Sequence, residues 1–158
     1  MSLAKMQQEI HRLGAQARSL PPQLESLLGY WLQKCEGRTM PARDDLPVRE
    51  LRPWLGHLAL IDVADEQDIR IRLCGTNLIR RYGREATGAG IDELALDIAR
   101  QLKAILKATV KANAPIVAVS HIPLGRTMIS YCEAALPLAG PGGLVGTVLI
   151  GGYEIQRA

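Results

Sequence analysis

The apolar pattern in the middle of the chain predicts a β-hairpin. Leu58–Ala64 is an apolar run, and after a polar turn Ile69–Leu73 alternates strictly between apolar and polar residues. A period of two is typical of a half-buried strand, so Leu73 is predicted on the buried face and Arg72 on the opposite face. Gly75 follows directly, and a glycine at this point indicates that the second strand ends there.

Two longer segments have the spacing of amphipathic helices. Apolar residues recur at intervals of three and four from Leu24 to Cys35, and Gly37 follows as a natural C-terminal stop. A second such pattern runs from Glu93 to Asn113, and Asp92 is its predicted N-cap. Both segments are expected to pack an apolar face against a core. Three lysines occupy another face of the second segment: Lys103, Lys107 and Lys111.

Three further apolar runs predict strands in the last third of the chain. These runs are Ile116–Ile122, Met128–Leu138 and Leu144–Tyr153. Short glycine-containing turns separate them, which favours antiparallel neighbours. Together with the hairpin they predict an α+β fold, in which a five-stranded antiparallel sheet packs against one long helix.

The first 19 residues predict a helix whose role the sequence leaves open. Between Ser2 and Ser19 the apolar positions have 3-4-3-4 spacing, which suits a short coiled-coil seam or a helix lying on its own domain. The stripe consists of Leu3, Met6, Ile10, Leu13 and Ala17. The predicted organisation is an N-terminal helical extension over residues 1–37, a candidate for homodimerisation, followed by one domain over residues 38–158.

Composition narrows the class of protein. The 158 residues carry a net charge of +3 and are 47% hydrophobic, which is typical of a globular domain. The weak, evenly spread charge and the lack of phenylalanine give no indication of nucleic-acid binding. No apolar run is long enough for a membrane span. Three cysteines without CxxC spacing indicate reduced thiols, so we expect a cytoplasmic protein.

The order of these elements, together with three local stretches, resembles the PAS domain family. The stretches are residues 40–44 leading into 58–63, residues 72–76 leading into 83–88, and Glu133 with 136–138. They are similar to small stand-alone bacterial PAS-type proteins, and the resemblance spans about residues 24–152. It implies a five-stranded sheet that cups a pocket closed by helices. It also implies sensing or partner binding, and no reaction.

Seven polar residues are candidates to line the pocket so implied. They are Arg72, Thr76, Tyr82, Arg84, His121, Tyr131 and Glu133. An arginine there would suit a carboxylate or phosphate group on a ligand, because its guanidinium binds such groups bidentately. Each candidate also has a plainer interpretation. Arg72 and Glu133 could form an ion pair across the sheet, Thr76 could cap a helix, and the rest could be packed or solvated side chains.

Other kinds of site find less support in the sequence. His57 and His121 lack neighbouring carboxylates or cysteines at metal-ligand spacing, so no metal site is predicted. Ser120 and His121 are adjacent in a strand and point to opposite faces, so they cannot pair as nucleophile and base. The long predicted helix has no histidine that could ligate haem, and the Asn-Cys-Arg motif of flavin photosensors is absent. The cofactor, if any, stays unidentified.

The sequence thus favours a sensory or regulatory domain that binds a small ligand in an apolar pocket. Its signal would pass through dimerisation or a separate output protein. One alternative is a ligand-free interaction module whose own side chains fill the pocket. Another is a small enzyme on a curved-sheet cone fold, with Asp62 or Glu133 as its acid–base residue. The long helix between two strands and three favours the sensor arrangement, and no catalytic motif is visible.

Overall fold

A computed structural model describes residues 20–155, and the helix predicted for residues 2–19 lies outside this range. Its α-helices are α1 (Pro22–Cys35), α2 (Val48–Leu51), α3 (Ile79–Tyr82) and α4 (Leu96–Ala112). Its strands are β1 (Leu58–Asp62), β2 (Arg70–Cys74), β3 (Ile116–Leu124), β4 (Thr127–Ala139) and β5 (Val145–Ile155). Short 3₁₀ turns connect several of these elements. The predicted α+β class is confirmed.

The described strands form one antiparallel sheet in the order β2-β1-β5-β4-β3. Short connections join β1 to β2, β3 to β4 and β4 to β5, and β5 lies between β1 and β4. The long helix α4 bridges the two halves, since it follows β2 at one edge and precedes β3 at the other. This arrangement confirms the five-stranded sheet that the apolar runs predict.

The two faces of the sheet are covered by different helices. Gly151 and Gly152 are adjacent in β5, so positions 151 and 152 face opposite sides of the sheet. A Cβ atom at Gly151 would lie 2.5 Å from Leu27 of α1, whereas one at Gly152 would lie 3.0 Å from Leu78, just before α3. We call the α1 side the outer face and the α3–α4 side the inner face. The site described below lies on the inner face.

Helix α1 is part of the packed core on the outer face. Its apolar stripe is buried as predicted: Leu24, Leu27, Leu28, Trp31, Leu32 and Cys35. The indole N–H of Trp31 donates a 2.9 Å hydrogen bond to the carbonyl of Pro137 in β4. This contact fixes the helix against the centre of the sheet, where a large aromatic side chain adds much of the buried apolar area. The division of the chain at residue 37 stays a prediction.

Strand β2 departs from the predicted strict alternation. The pairing of β1 with β2 shifts between Leu60 and Ile61, so Arg72 is an extra residue without a partner in β1. Such a bulge disrupts the two-residue period. As a result Leu73, predicted on the buried face, is 37% exposed, while the side chains of Ile71 and Cys74 are buried.

Helix α4 begins later than its apolar pattern predicts. Residues 91–93 form a separate 3₁₀ turn, and α4 starts at Leu96 with Ala95 at the N-cap position. Asp92, predicted as the cap, instead pairs with Lys103 on the helix surface. The helix ends at Ala112 because Asn113 adopts a left-handed conformation, with φ at 49°, ahead of Pro115. Its buried face covers the inner side of β3, β4 and β5.

Candidate functional site

A fully buried ion pair lies on the inner face of the sheet. Arg81 of α3 and Glu133 of β4 are both 0% exposed, and Nε of Arg81 donates to Oε1 of Glu133 at 3.1 Å. Charged side chains are almost never fully buried unless they are paired, because an isolated charge loses its hydration. This pair is therefore the most unusual electrostatic feature of the core.

Ser120 of β3 completes the cluster from the neighbouring strand. Its hydroxyl donates to Oε1 of Glu133 at 2.6 Å and accepts from Nη2 of Arg81 at 3.3 Å. The register explains this placement, because Ser120 pairs with Tyr131 and therefore projects from the same face as Glu133. We call Arg81, Ser120, Glu133 and the adjacent Tyr82 the buried cluster.

The local sequence around Arg81 directs it to the sheet. Leu78 precedes it by three residues, so the two side chains lie on one face of the short helical segment. Gly83 then ends α3 in a left-handed conformation, with φ at 77°. On the sheet side, Gly152 leaves the space that Leu78 and the Glu133 side chain occupy, since a Cβ there would lie 3.7 Å from Cγ of Glu133.

Three polar atoms of the buried cluster have no hydrogen-bond partner among the described residues. They are Nη1 of Arg81, Oε2 of Glu133 and the hydroxyl of Tyr82. The guanidinium and the carboxylate share one hydrogen bond and not the two of a bidentate pair. Nη1 of Arg81 and Oε2 of Glu133 are therefore left without partners among the described residues. An unsatisfied buried polar atom costs about 1–3 kcal/mol, and more where it belongs to a charged group. The cluster therefore contains hydrogen-bonding groups that no other described residue satisfies.

The Tyr82 hydroxyl stays protonated within this environment. Burial raises the pKa of Tyr82 well above its usual range, and the negative charge of Glu133 raises this pKa further. The guanidinium of Arg81 also lies near the tyrosine ring, with Cζ 5.6 Å from the ring centroid. Tyr82 can thus donate or accept a hydrogen bond, and it is a poor nucleophile or base at neutral pH.

The structure brings together three of the seven residues predicted from the sequence. Tyr82 and Glu133 belong to the buried cluster, and Tyr131 lies beside it, two residues from Glu133 on the same face of β4. Burial raises the pKa of Tyr131, and the carboxylate of Glu154 raises it further. All three residues lie on the inner side of the sheet, whereas the sequence-based interpretation did not specify which face carries the pocket.

The other four predicted residues lie elsewhere. Arg72 is exposed and pairs with Asp62, so the ion pair suggested between Arg72 and Glu133 is wrong. The bulge turns Arg72 outward, and Glu133 forms its ion pair with Arg81 instead. Thr76 is exposed and forms no side-chain cap.

Arg84 and His121 are likewise outside the buried cluster. Arg84 is exposed and donates to the carbonyl of Glu85. His121 projects from the outer face, where Nδ1 lies 2.8 Å from the hydroxyl of Ser130. Ser120 and His121 do point to opposite faces, as the strand period predicts. Ligand binding by any of the seven residues stays a prediction.

Arg81 and Ser120 are members of the cluster that sequence reasoning missed. The segment 80–84 holds three arginines, and nothing in their spacing tells which one turns inward. The available signal was the distance of three residues from the buried Leu78 to Arg81. Ser120 gave a weaker signal, since it is one of the few polar residues on the inward-facing positions of a strand.

The cysteines and histidines form no further site in the described part of the chain. Cys35, Cys74 and Cys132 are free and buried, and burial raises the pKa values of Cys35 and Cys132 to about 11. Residues 20–155 hold no group of three metal-ligating side chains. His57 stacks on Tyr153, with 4.0 Å between ring centroids, and its Nδ1 lies 3.1 Å from the carbonyl of Gly152.

No described helix is long and apolar enough to cross a membrane.

Comparison with solved structures finds several PAS-type folds. The PAS domain of BvgS from Bordetella pertussis aligns over 70% of this chain and 87% of its own, with 16% identity and a TM-score of 0.52. VqmA bound to DPO aligns over 71% of this chain with 8% identity and a TM-score of 0.53. A Rhodobacter sphaeroides LOV protein aligns over 64% of this chain with 17% identity, but its TM-score is only 0.48.

These similarities concern the fold alone. The aligned region covers 60% of the VqmA chain and 60% of the Rhodobacter chain. A comparison with curated protein sequences found no match. Residues 20–140 match the family described as PAS domain. This matched region is most of the chain, and it includes α1, strands β1 to β4 and the buried cluster. The chain therefore belongs to the PAS domain family.

Proposed function

We propose that this protein is a cytoplasmic sensory or regulatory domain that holds a small polar ligand at the buried cluster. The observation that carries the proposal is the set of three unpartnered polar atoms on Arg81, Tyr82 and Glu133. Buried polar atoms in folded proteins nearly always have partners, and exceptions mark a ligand, an ordered water or a functional strain. Free, buried cysteines support the cytoplasmic location.

The charges of the buried cluster favour an uncharged ligand. Arg81 and Glu133 already neutralise each other, so an ionic ligand would bring an uncompensated charge into a site that is 0% exposed. The unused atoms call for an acceptor opposite Nη1 of Arg81 and a donor opposite Oε2 of Glu133. A small neutral molecule with one hydrogen-bond donor and one acceptor satisfies both.

Ligand binding at this position would couple α3 to the sheet. Arg81 belongs to α3, whereas Ser120 and Glu133 belong to β3 and β4. A ligand that replaces the 3.3 Å contact between Arg81 and Ser120 would change how tightly α3 is held. Such a difference in contacts is what lets a ligand shift a conformational equilibrium. The signal would then pass to a second copy through the helix predicted at residues 2–19, or to a separate output protein.

A ligand-free interaction module is the second candidate function. It is favoured by the complete burial of Arg81, Tyr82 and Glu133, because a closed core needs only ordered water at the unpartnered atoms. An enzyme finds less support. Asp62 lies at the surface in an ion pair with Arg72, and Oε1 of Glu133 is held by two hydrogen bonds.

Native mass spectrometry of the purified protein, compared with its denatured mass, tests the ligand. We expect a non-covalent mass excess in the wild type and in Asp62→Asn, and its loss in Glu133→Gln, which changes the acceptor at the cluster. The Asp62 variant is the matched control because that carboxylate also pairs with an arginine, but at the surface. Bare protein in all three, with only ordered water at the cluster in a high-resolution crystal structure, would establish the interaction module instead.

Removal of residues 1–20 tests the route of the signal. If the predicted N-terminal helix mediates dimerisation, light scattering should show a dimer for the full chain and a monomer for the shortened chain. The shortened chain retains α1 and the sheet, so its circular dichroism should show a folded core. A full-length chain that is already monomeric would contradict the dimerisation proposal and leave the ligand proposal unaffected.

A further inference from the structure

An open groove runs between α4 and the β1–β2 hairpin, away from the buried cluster. It has a volume of about 540 Å³. Its apolar wall is formed by Val63 and Ile69 of the hairpin and by Leu106 and Val110 of α4. Val110 is 37% exposed, although it lies one helical turn from the fully packed Leu106. The groove is therefore apolar at its base and open to solvent along its length.

One row of α4 lysines borders this groove. Lys103, Lys107 and Lys111 succeed one another at intervals of four residues, which is about 6 Å along the helix axis. Lys103 is already paired, since its Nζ lies 2.5 Å from Oδ1 of Asp92. Lys107 and Lys111 form no ion pair with another described residue. Two positive charges thus stand side by side at one rim of an apolar groove.

Lysines on an exposed helix face are most often simply solvated, and two observations set this pair apart. The first is the continuous apolar lining beside them, which Ile69 and Val110 share, because an apolar patch rimmed by polar residues is typical of an interaction surface. The second is the opposite rim, where the turn between β1 and β2 contributes only one charged side chain to the groove, Glu66. The surface is therefore both apolar and net positive.

We propose that this groove docks an acidic amphipathic helix of a partner protein. A helix laid along α4 presents carboxylates one turn apart, and this spacing matches that of Lys107 and Lys111. Its apolar side chains would cover Val110 and Ile69. The volume of about 540 Å³ would hold a small molecule, but the groove is open along its length, whereas a pocket for such a ligand usually encloses most of its surface.

The charge of this chain argues against a segment of its own as the occupant. The predicted helix at residues 2–19 carries Lys5, Arg12 and Arg18 against the single acidic residue Glu9. It would therefore repel the lysine row instead of pairing with it. The complementary partner is an acidic helix from a different protein, and the docking proposal holds whether or not a ligand binds at the buried cluster.

A labelled synthetic peptide tests the proposal. The probe is a helical peptide of about 16 residues with leucines along one face and glutamates one turn apart beside them. We expect its binding, followed by fluorescence anisotropy, to weaken about five- to tenfold in Lys107→Gln/Lys111→Gln and more strongly in Val110→Glu. Arg126→Gln is the matched control, because Arg126 is an exposed cation in the β3–β4 turn, remote from the groove. It should leave the affinity unchanged.

Two results would overturn the proposal. Equal affinity for the peptide and its glutamate-to-glutamine counterpart would show that the lysines do not select acidic partners. Competition by octanoate with the same dependence on Lys107 and Lys111 would identify a small-molecule site instead. All variants keep the buried cluster intact, so a failure here is distinct from the absence of a ligand in the mass spectra.

Discussion

Arginine–carboxylate pairs link neighbouring elements both in the core and at the surface of this protein, and Arg81–Glu133 and Arg72–Asp62 show the contrast. Arg81 and Glu133 are both 0% exposed, while the side chains of Arg72 and Asp62 are 63% and 33% exposed. The surface pair remains hydrated and is screened by salt, so its loss is easily replaced by water. The buried pair is not exposed to solvent, so bulk water does not replace an interaction that is lost there. We therefore expect an arginine–carboxylate pair to contribute little to the stability of the fold at the surface and much more in the core.

The largest expected effect comes from removing one member of the buried pair. Glu133→Gln leaves the Arg81 guanidinium without its counter-charge, and breaking a buried pair in this way costs about 3–5 kcal/mol. We expect urea unfolding to show a loss of this size in the free energy of unfolding. Asp62→Asn is the matched surface control. A loss below about 1 kcal/mol for Glu133→Gln would show that water reaches the cluster and that the contrast between the pairs is false.

Alkaline pH should destabilise the core through its buried acids. Burial raises the pKa values of Cys35 and Cys132 from near 9 to about 11, so the unfolded chain loses these protons first. The contribution is fully present below about pH 9 and is lost as the pH rises from about 9 to about 11. Urea titrations at pH 8, 9.5 and 11 measure this fall. It should be shallower in Cys132→Ala, and an identical slope would contradict the role of that thiol.

Replacing both members of the buried pair should undo most of the damage. In Arg81→Met/Glu133→Leu no charge is left buried, and such apolar replacements are often neutral or stabilising by about 1–4 kcal/mol. The double variant should therefore unfold at a urea concentration near that of the wild type while losing any bound ligand. A double variant as unstable as Glu133→Gln would mean that the lost stability comes from packing or from the Ser120 hydroxyl, which loses both partners, and not from the unpaired charge.

The smallest expected effect belongs to the surface pair. Arg72→Ala should lower the free energy of unfolding by about 0–1 kcal/mol, and added salt should reduce even this difference. The measurement is urea unfolding of the wild type and the variant at low and high ionic strength. A larger, salt-independent loss would show that the bulge in β2 depends on the contact between Arg72 and Asp62.

The elements that follow from local pattern were predicted well. The hairpin, the long helix and the last three strands appear in the structure, because periodicity and turn residues act over a few positions. The errors are also local in origin. One extra residue at Arg72 breaks the alternation of β2, and a separate 3₁₀ turn at residues 91–93 delays the start of α4. Neither feature has a sequence signature as clear as the pattern that it interrupts.

The candidate site was predicted only in part. Glu133 and Tyr82 were identified as pocket residues, but Arg81 was not, although it follows the buried Leu78 by three residues. A buried carboxylate needs a cation, and the chain offers several arginines near the hairpin. The choice among them depends on which side chain α3 turns toward the sheet, which its four residues do not specify by themselves.

Local patterns in the sequence were sufficient to predict the fold class, the five strands and the long helix, because these features depend mainly on neighbouring residues. The pairing of Glu133 with Arg81, 52 residues away in the chain, and the outward position of Arg72 arise only when the chain is folded. It also placed the lysine row of α4 beside an apolar groove. Such contacts depend on how helices lie across a sheet, and that position arises from the packing of the whole core.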